Sequence, residues 1–135
     1  MTSRTQPCGR SEARTRLEQA DAFVLAAELV LEDTTALANS GVAAALSILA
    51  GIAASDAACC ARLRRRARGQ AHEEAVARLE KVEPGGTEMA KELKRLLHRK
   101  HSASYGVSFF ALGEAQDLVG WAKRLVERAR TAVEA

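Results

Sequence analysis

The segment VAAALSILAGIAASDAACCA, residues 42–61, constrains the fold more than any other feature of this chain. As a helix it is apolar on nearly every side, and such a helix in a soluble protein has to be covered by other helices. Its least polar part, residues 41–54, is interrupted by Ser47 and is shorter than the roughly 20 residues that a membrane span needs. We therefore expect a central core helix and no membrane contact.

The distribution of proline supports long helices on both sides of this segment. Pro7 and Pro84 are the only prolines in 135 residues, and proline is excluded from helix interiors. Leu118, Ala122 and Leu125 belong to an apolar seam with alternating steps of three and four residues, which is typical of packed helices. The chain length suits one domain, and nothing in the sequence points to a sheet.

These patterns predict an all-α fold, an up-and-down bundle of four main helices plus one short helix, over residues 11–135. A flexible N-terminal tail is expected over residues 1–10, where Pro7 and Gly9 lie in a polar stretch. The predicted helices span residues 11–32, 42–66, 71–82, 88–101 and 108–133.

Charge and cysteine content set broad limits on partners and compartment. The net charge of +3 allows contact with a polyanion without requiring one. Cys59 and Cys60 are adjacent, so they point about 100° apart on a helix. They make a poor disulfide pair with each other and a poor metal pair, and we expect two buried core residues. With Cys8 the count is odd, which suits a reducing cytoplasm. No metal or cofactor is expected.

Asp56 is the one charged residue inside the apolar segment. A buried carboxylate is costly unless it is paired, so we expect an Arg, Lys or Tyr partner from another helix. A structural ion pair, a solvated groove and a site residue all remain open. His72 follows the basic end of the same segment and is either structural or part of a site.

Two basic stretches could hold phosphate. Five arginines fall within residues 62–68, where they could clamp RNA phosphates or simply form a solvated helix end. In LLHRKHSASYG a cluster of basic side chains precedes Tyr105, whose hydroxyl could share a phosphate with Lys100. No P-loop, dinucleotide-binding or zinc-protease motif is present. The candidate phosphate or RNA contacts are Arg62, Arg65, Arg66, Arg68 and Arg99.

Three strings together resemble the HEPN superfamily of small helical domains: AGIAASDAACCARLRRRARGQAHEEAVARL, LLHRKHSASYG and EAQDLVGWAKRLVERA. The likeness covers about residues 17–132 and looks closest to a compact bacterial subgroup common in actinobacteria. The resemblance implies an up-and-down bundle, frequent homodimers, and links to RNA or to toxin–antitoxin systems. Many active members are metal-independent endoribonucleases that use an Arg and a His four to six residues apart.

Two pairs satisfy that spacing, Arg95 with His101 and Arg66 with His72. By alignment, however, the basic and histidine positions of the family best match Lys100 and Tyr105. Tyrosine does not readily replace histidine as a general base near neutral pH. This departure argues against catalysis and favours a ligand-binding polar cleft. Its expected members are Asp56, His72, Lys100 and Tyr105.

The favoured hypothesis is a non-catalytic, dimeric, cytoplasmic HEPN-like module that contacts RNA, a nucleotide or a partner protein. One alternative is a metal-independent endoribonuclease of toxin–antitoxin type. Another is a plain helical protein-interaction domain without a nucleic-acid role. The dimer has a basis in a second apolar stripe of the last helix, although the bundle could equally bury that stripe internally. The stripe comprises Phe109, Phe110, Val119 and Trp121.

Overall fold

The computed structural model describes residues 4–69 and 71–135, and it confirms an all-α bundle. Four long helices are joined by two short helices and two short strands, where one short helix was predicted. In chain order the elements are β1 (Thr5–Pro7), α1 (Arg10–Glu32), α2 (Asn39–Leu63), β2 (Arg65–Ala67), α3 (His72–Leu79), α4 (Gly86–His98), α5 (Lys100–Tyr105) and α6 (Leu112–Glu134).

Helix α2 is the centre of the bundle, as its apolar run predicts. Its alanines are fully buried against α1, α4 and α6. Gly51 allows a close approach to α4, because a Cβ there would lie 2.6 Å from Leu96 Cδ1. By length and composition alone α2 could cross a membrane, but 72% of its apolar window is buried inside the protein, as in the core helix of a soluble protein.

The apolar seam predicted for the last helix is also present. Leu118, Ala122 and Leu125 are buried along α6, and Ala129 continues the row. The helix begins at Leu112 rather than Ser108, because the segment before it is extended. The seam packs mainly on α2, so the period of the sequence indicated the buried face correctly while the start of the helix was predicted too early.

The basic end of α2 departs from the prediction. The helix ends at Leu63 instead of Arg66, because Arg64 adopts a left-handed conformation with φ 61°. The chain then becomes strand β2, which pairs antiparallel with β1 in a small sheet that the sequence analysis did not foresee. Arg65 Nε donates to Thr5 Oγ1 over 2.9 Å. From residue 4 onward, the predicted flexible tail is instead part of the fold.

A disulfide between Cys8 and Cys60 fixes the same segment to α2, with 5.2 Å between the two Cα atoms. The interpretation of Cys60 as a free core thiol was therefore wrong, since its partner comes from the N-terminal segment and not from Cys59. Cys59 is the free buried cysteine. Burial raises the pKa of its thiol to about 12, so this side chain is a core residue and a poor nucleophile.

The helix predicted over residues 88–101 is divided into two. Helix α4 begins after Gly85, which takes φ 85°, and α5 follows a break at Arg99. Gly86 packs tightly, since a Cβ there would lie 2.5 Å from the carbonyl oxygen of Leu79. This close turn holds α3 beside α4. It places the first residue of α3, His72, next to the polar face of α4.

Candidate functional site

The central polar feature is Asp56, on the side of α2 that β2 and α3 cover. Its side chain is only 6% exposed. Arg16 on α1 donates from Nε to Asp56 Oδ2 over 3.0 Å, and Arg66 on β2 donates from Nη1 to the same oxygen over 3.3 Å. The two guanidinium groups supply the pairing that a buried carboxylate requires. The small sheet serves the site, because it holds Arg66 beside Asp56.

Burial dominates the electrostatics of Asp56. Desolvation raises the pKa of this carboxyl above its usual value, although the positive charges of Arg16 and Arg66 act to lower it. The ionised carboxylate is therefore held at a cost to stability that its partners reduce but do not remove. Groups kept at such a cost are enriched at functional sites.

Asp56, Arg16, Arg66 and His72 line one enclosed cavity of about 110 Å³, here called the Asp56 pocket. Its remaining walls are mostly small or apolar side chains from α2, α3 and α4. Drug-sized ligands occupy pockets of roughly 300–1,000 Å³. The Asp56 pocket therefore has room for a small group or a few water molecules.

His72 stands at the start of α3 with its Nε2 atom buried. Among residues 4–69 and 71–135, no group forms a hydrogen bond with this atom. Desolvation lowers the pKa of His72, and the positive charge of Lys100 lowers it further. The imidazole is thus mostly neutral at neutral pH. Its nitrogen is a polar atom that still needs a partner.

A larger open depression of about 940 Å³, here called the basic groove, lies on the other side of His72. Arg95 lies over the ring of Trp121, with 5.6 Å from its guanidinium carbon to the ring centroid. His72 and Leu97 line both the pocket and the groove. The groove is lined by His72, Glu73, Val76, Lys91, Lys94, Arg95, Leu97, His98, Arg99 and Trp121.

The structure brings together some members of the predicted cleft. Asp56 and His72 share the pocket, and Lys100 is close enough to His72 to lower its pKa. Tyr105 is 69% exposed and contacts the ring of His101, with 5.7 Å between centroids. In the part of the chain that is described, neither of these two rings lines the pocket or the groove.

The two candidate catalytic pairs fare differently. Arg66 and His72 line the same pocket, although the turn that carries them was considered the wrong place for a catalytic pair. Arg95 lines the basic groove, whereas its proposed partner His101 lies beside Tyr105 on α5. Within the described residues, only the Arg66–His72 pair is brought to a common cavity.

Most of the arginine-rich run is engaged inside the fold. Arg62 donates to the carbonyl oxygens of Glu83 and Ala135 over 3.0 and 3.2 Å. Arg65 is bound to Thr5, and the backbone N–H of Arg68 donates to Arg4. These contacts are structural, and a role in RNA binding for Arg62, Arg65 and Arg68 stays a prediction.

Arg99, the other predicted phosphate contact, is likewise engaged within the fold. It pairs with Glu114 over 2.8 Å and stacks on Phe110, with 4.8 Å to the ring centroid. It also lines the basic groove. Its Nε is buried without a hydrogen-bond partner among the described residues. Its contribution to phosphate binding therefore stays a prediction.

Arg16 and the basic face of α4 were missed by the sequence analysis. Arg16 lies 40 residues before Asp56, and no local pattern connects them. Lys91, Lys94 and His98 do carry a signal, because their spacing of three and four places them on one face of a helix. That face lies opposite the buried leucines of α4. A survey of polar residues by helical spacing would have found it.

The described ranges 4–69 and 71–135 contain no group of three His, Cys, Asp or Glu side chains that could hold a metal ion. The site is therefore described by cationic side chains, one buried carboxylate and one neutral imidazole. Comparison with protein-family models and with curated proteins finds no match for this chain.

Proposed function

We propose that this chain is a non-catalytic, HEPN-like helical module that contacts RNA through its basic groove. The observation that carries the proposal is the charge of that groove. Four side chains that are cationic at neutral pH line it, against the single carboxylate of Glu73. Clustered Lys and Arg side chains bind the phosphate backbone and release its counterions. The cations are Lys91, Lys94, Arg95 and Arg99.

Trp121 favours single-stranded RNA as the partner. Proteins that bind single strands combine a positive groove with aromatic side chains on which bases stack. Trp121 lies in the groove, partly buried, with the guanidinium of Arg95 over its ring. Arginine planes and indole rings both offer faces to an unpaired base. The groove thus combines both elements of single-strand binding.

The direct test is salt-dependent binding of a fluorescent single-stranded oligoribonucleotide. Lys91→Glu with Lys94→Glu is expected to weaken binding by tenfold or more at low salt, because two phosphate contacts become repulsive. The slope of log affinity against log salt should fall by about 1.4, at roughly 0.7 per phosphate contact in a single strand. Fluorescence anisotropy across a series of salt concentrations measures both quantities.

Lys81→Glu is the matched control for each single charge reversal. Lys81 is exposed and lies outside the groove-lining set, so its reversal gives the same change in net charge without removing a groove contact. Equal weakening by Lys81→Glu and by Lys94→Glu would attribute binding to net charge and not to the groove. Absence of salt-sensitive binding by the unchanged protein would instead favour a plain protein-interaction domain.

A second candidate function is a metal-independent endoribonuclease of toxin–antitoxin type, favoured by one observation. Arg66 and the neutral His72 line a common cavity. A neutral imidazole can accept the proton of a ribose 2′-hydroxyl as that oxygen attacks the adjacent phosphorus and the 5′-oxygen leaves. Cleavage of RNA in EDTA that is lost in His72→Ala, and retained in His101→Ala, would establish this function in place of the first.

Homodimer formation belongs to the same proposal. The stripe that suggested it is mostly used inside the bundle, since Phe110 and Val119 are buried and Trp121 is partly buried. Phe109 remains 67% exposed, and other large apolar side chains lie exposed on α1 and α2. Such surface often marks contact between chains. We expect light scattering to give twice the chain mass of 14.5 kDa; a monomer at all concentrations would contradict this.

The proposed location is the cytoplasm, and it places a condition on the disulfide. Cytosolic thiols are kept reduced, so disulfides there are transient. The Cys8–Cys60 bond would then form only under oxidising conditions. Thiol trapping in intact cells would show a reduced Cys8 if this location is correct and a permanently oxidised pair if it is wrong.

A further inference from the structure

The Asp56 pocket and the basic groove are neighbouring spaces of very different shape. They adjoin at His72 and Leu97, which line both. The groove is open and measures about 940 Å³, whereas the pocket is enclosed and measures about 110 Å³. A chain lying in the groove could therefore place only a terminal group in the pocket. An internal phosphodiester, which is bonded on both sides, could not enter.

The pocket favours an anion. Two guanidinium groups, Arg16 and Arg66, face the single carboxylate of Asp56, and the charge of Lys100 acts on the same space through His72. The pocket also contains Ala71 and His72, at the start of α3, where helical N–H groups have no helical acceptor. The resulting excess of positive charge lies in a space that excludes most water.

Hydrogen-bond donors remain uncommitted there. Arg66 uses Nη1 alone on Asp56, and Arg16 uses Nε on Asp56 and Nη1 on Gln19. Within the described residues, no partner is recorded for the second terminal nitrogen of either guanidinium. His72 Nε2 is likewise buried without a partner. These groups form a set of donors around a space with room for roughly three or four water molecules, at about 30 Å³ each.

We propose that the Asp56 pocket binds the terminal phosphomonoester of a single-stranded RNA whose chain lies in the basic groove. This inference rests on the proposed function and narrows its substrate class to phosphorylated ends. A terminal phosphomonoester carries close to two negative charges at pH 7 and three acceptor oxygens. It matches the donors of Arg16, Arg66 and His72 in number and in charge. The 5′ and the 3′ end present the same chemistry.

The experiment compares three oligoribonucleotides of one sequence, carrying a 5′-phosphate, a 3′-phosphate, or hydroxyl groups at both ends. One phosphorylated form is expected to bind at least tenfold more tightly than the hydroxyl form, and the preferred end identifies the orientation of the chain. Inorganic phosphate should compete selectively, reducing that preference. Equal affinity for all three overturns the inference and leaves the proposed function standing, whereas absence of binding to any of them overturns both.

Variants separate the pocket from the groove. Arg66→Gln keeps the Arg16–Asp56 pair and should abolish the preference for a phosphorylated end while leaving affinity for the hydroxyl form nearly unchanged. Lys94→Glu should weaken all three oligonucleotides and keep the preference. His72→Gln provides a second pocket variant if Arg66→Gln unfolds at working temperature. A preference that survives both pocket variants overturns the inference, because end charge alone would then explain it.

Discussion

Reduction of the Cys8–Cys60 disulfide is expected to lower the free energy of unfolding by about 2–4 kcal/mol. The bond joins residues 52 apart, so its loss frees a long closed loop in the unfolded chain. For a loop of this length the chain-entropy relation gives about 4 kcal/mol at 25 °C. For a domain of this size, that corresponds to a fall in Tm of roughly 10 °C.

Urea denaturation with and without a thiol reductant measures this effect, and Cys8→Ser provides the control. The variant should match the reduced protein and should not respond to the reductant. The oxidised protein should expose one reactive thiol after unfolding, that of Cys59, and the reduced protein three. Three thiols without added reductant, or identical unfolding curves, would show that the bond is absent in solution.

The consequences of reduction should be largest near β1. Three kinds of contact hold this strand: its pairing with β2, the Arg65–Thr5 hydrogen bonds and the disulfide. Without the covalent link, a strand of three residues retains few contacts. We expect amide hydrogen exchange at residues 5–8 to accelerate more than in α6, because α6 packs on α2 independently of this segment.

The long helices could be predicted because their apolar residues recur with the period of a helix. Leu17, Ala20 and Val24 are buried on α1 as their spacing indicates, and the apolar run of α2 correctly indicated a central helix. The end of α2 could not be placed in the same way. Arg64 adopts a positive φ that arginine seldom takes, and the sequence there contains no glycine or proline to mark the break.

The N-terminal segment illustrates the same limit more clearly. Its strand and its disulfide both depend on partners about 60 and 52 residues away, and local patterns do not reveal such pairings. A polar stretch with Pro7 and Gly9 has the composition of a tail, so β1 was missed. The cysteine prediction failed for the same reason, because only the pairing of adjacent cysteines was judged.

The candidate site was half predictable. Burial of Asp56 followed from its position in an apolar run, and the need for a basic partner followed from the cost of burying a charge. The identity of that partner did not follow, since the chain offers 20 lysines and arginines. Tyr105 was assigned through resemblance alone. Its exposure shows that proximity in sequence to Lys100 does not bring it to Asp56.

The arrangement around Asp56 leads to the second large prediction, on stability. Arg16→Gln should lower the free energy of unfolding by about 2–3 kcal/mol, because it leaves a buried carboxylate with Arg66 as its one remaining partner; complete loss of pairing costs about 3–5 kcal/mol. Asp56→Asn should be nearly neutral, since it removes the buried charge and keeps the shape. In the double variant, Asp56→Asn should recover most of the loss caused by Arg16→Gln.

The pH dependence follows from the same carboxyl. Because burial raises its folded pKa, the folded protein binds more protons than the unfolded chain between the unfolded value of about 3.9 and the higher folded value. The contribution of Asp56 to stability therefore falls as pH rises through that window, and Asp56→Asn should remove this fall. Urea denaturation at a series of pH values measures it for all four proteins of the cycle. If Asp56→Asn is as destabilising as Arg16→Gln and the double variant recovers nothing, the ion pair is a net source of stability. The view that Asp56 is held for a functional reason would then lose its physical basis.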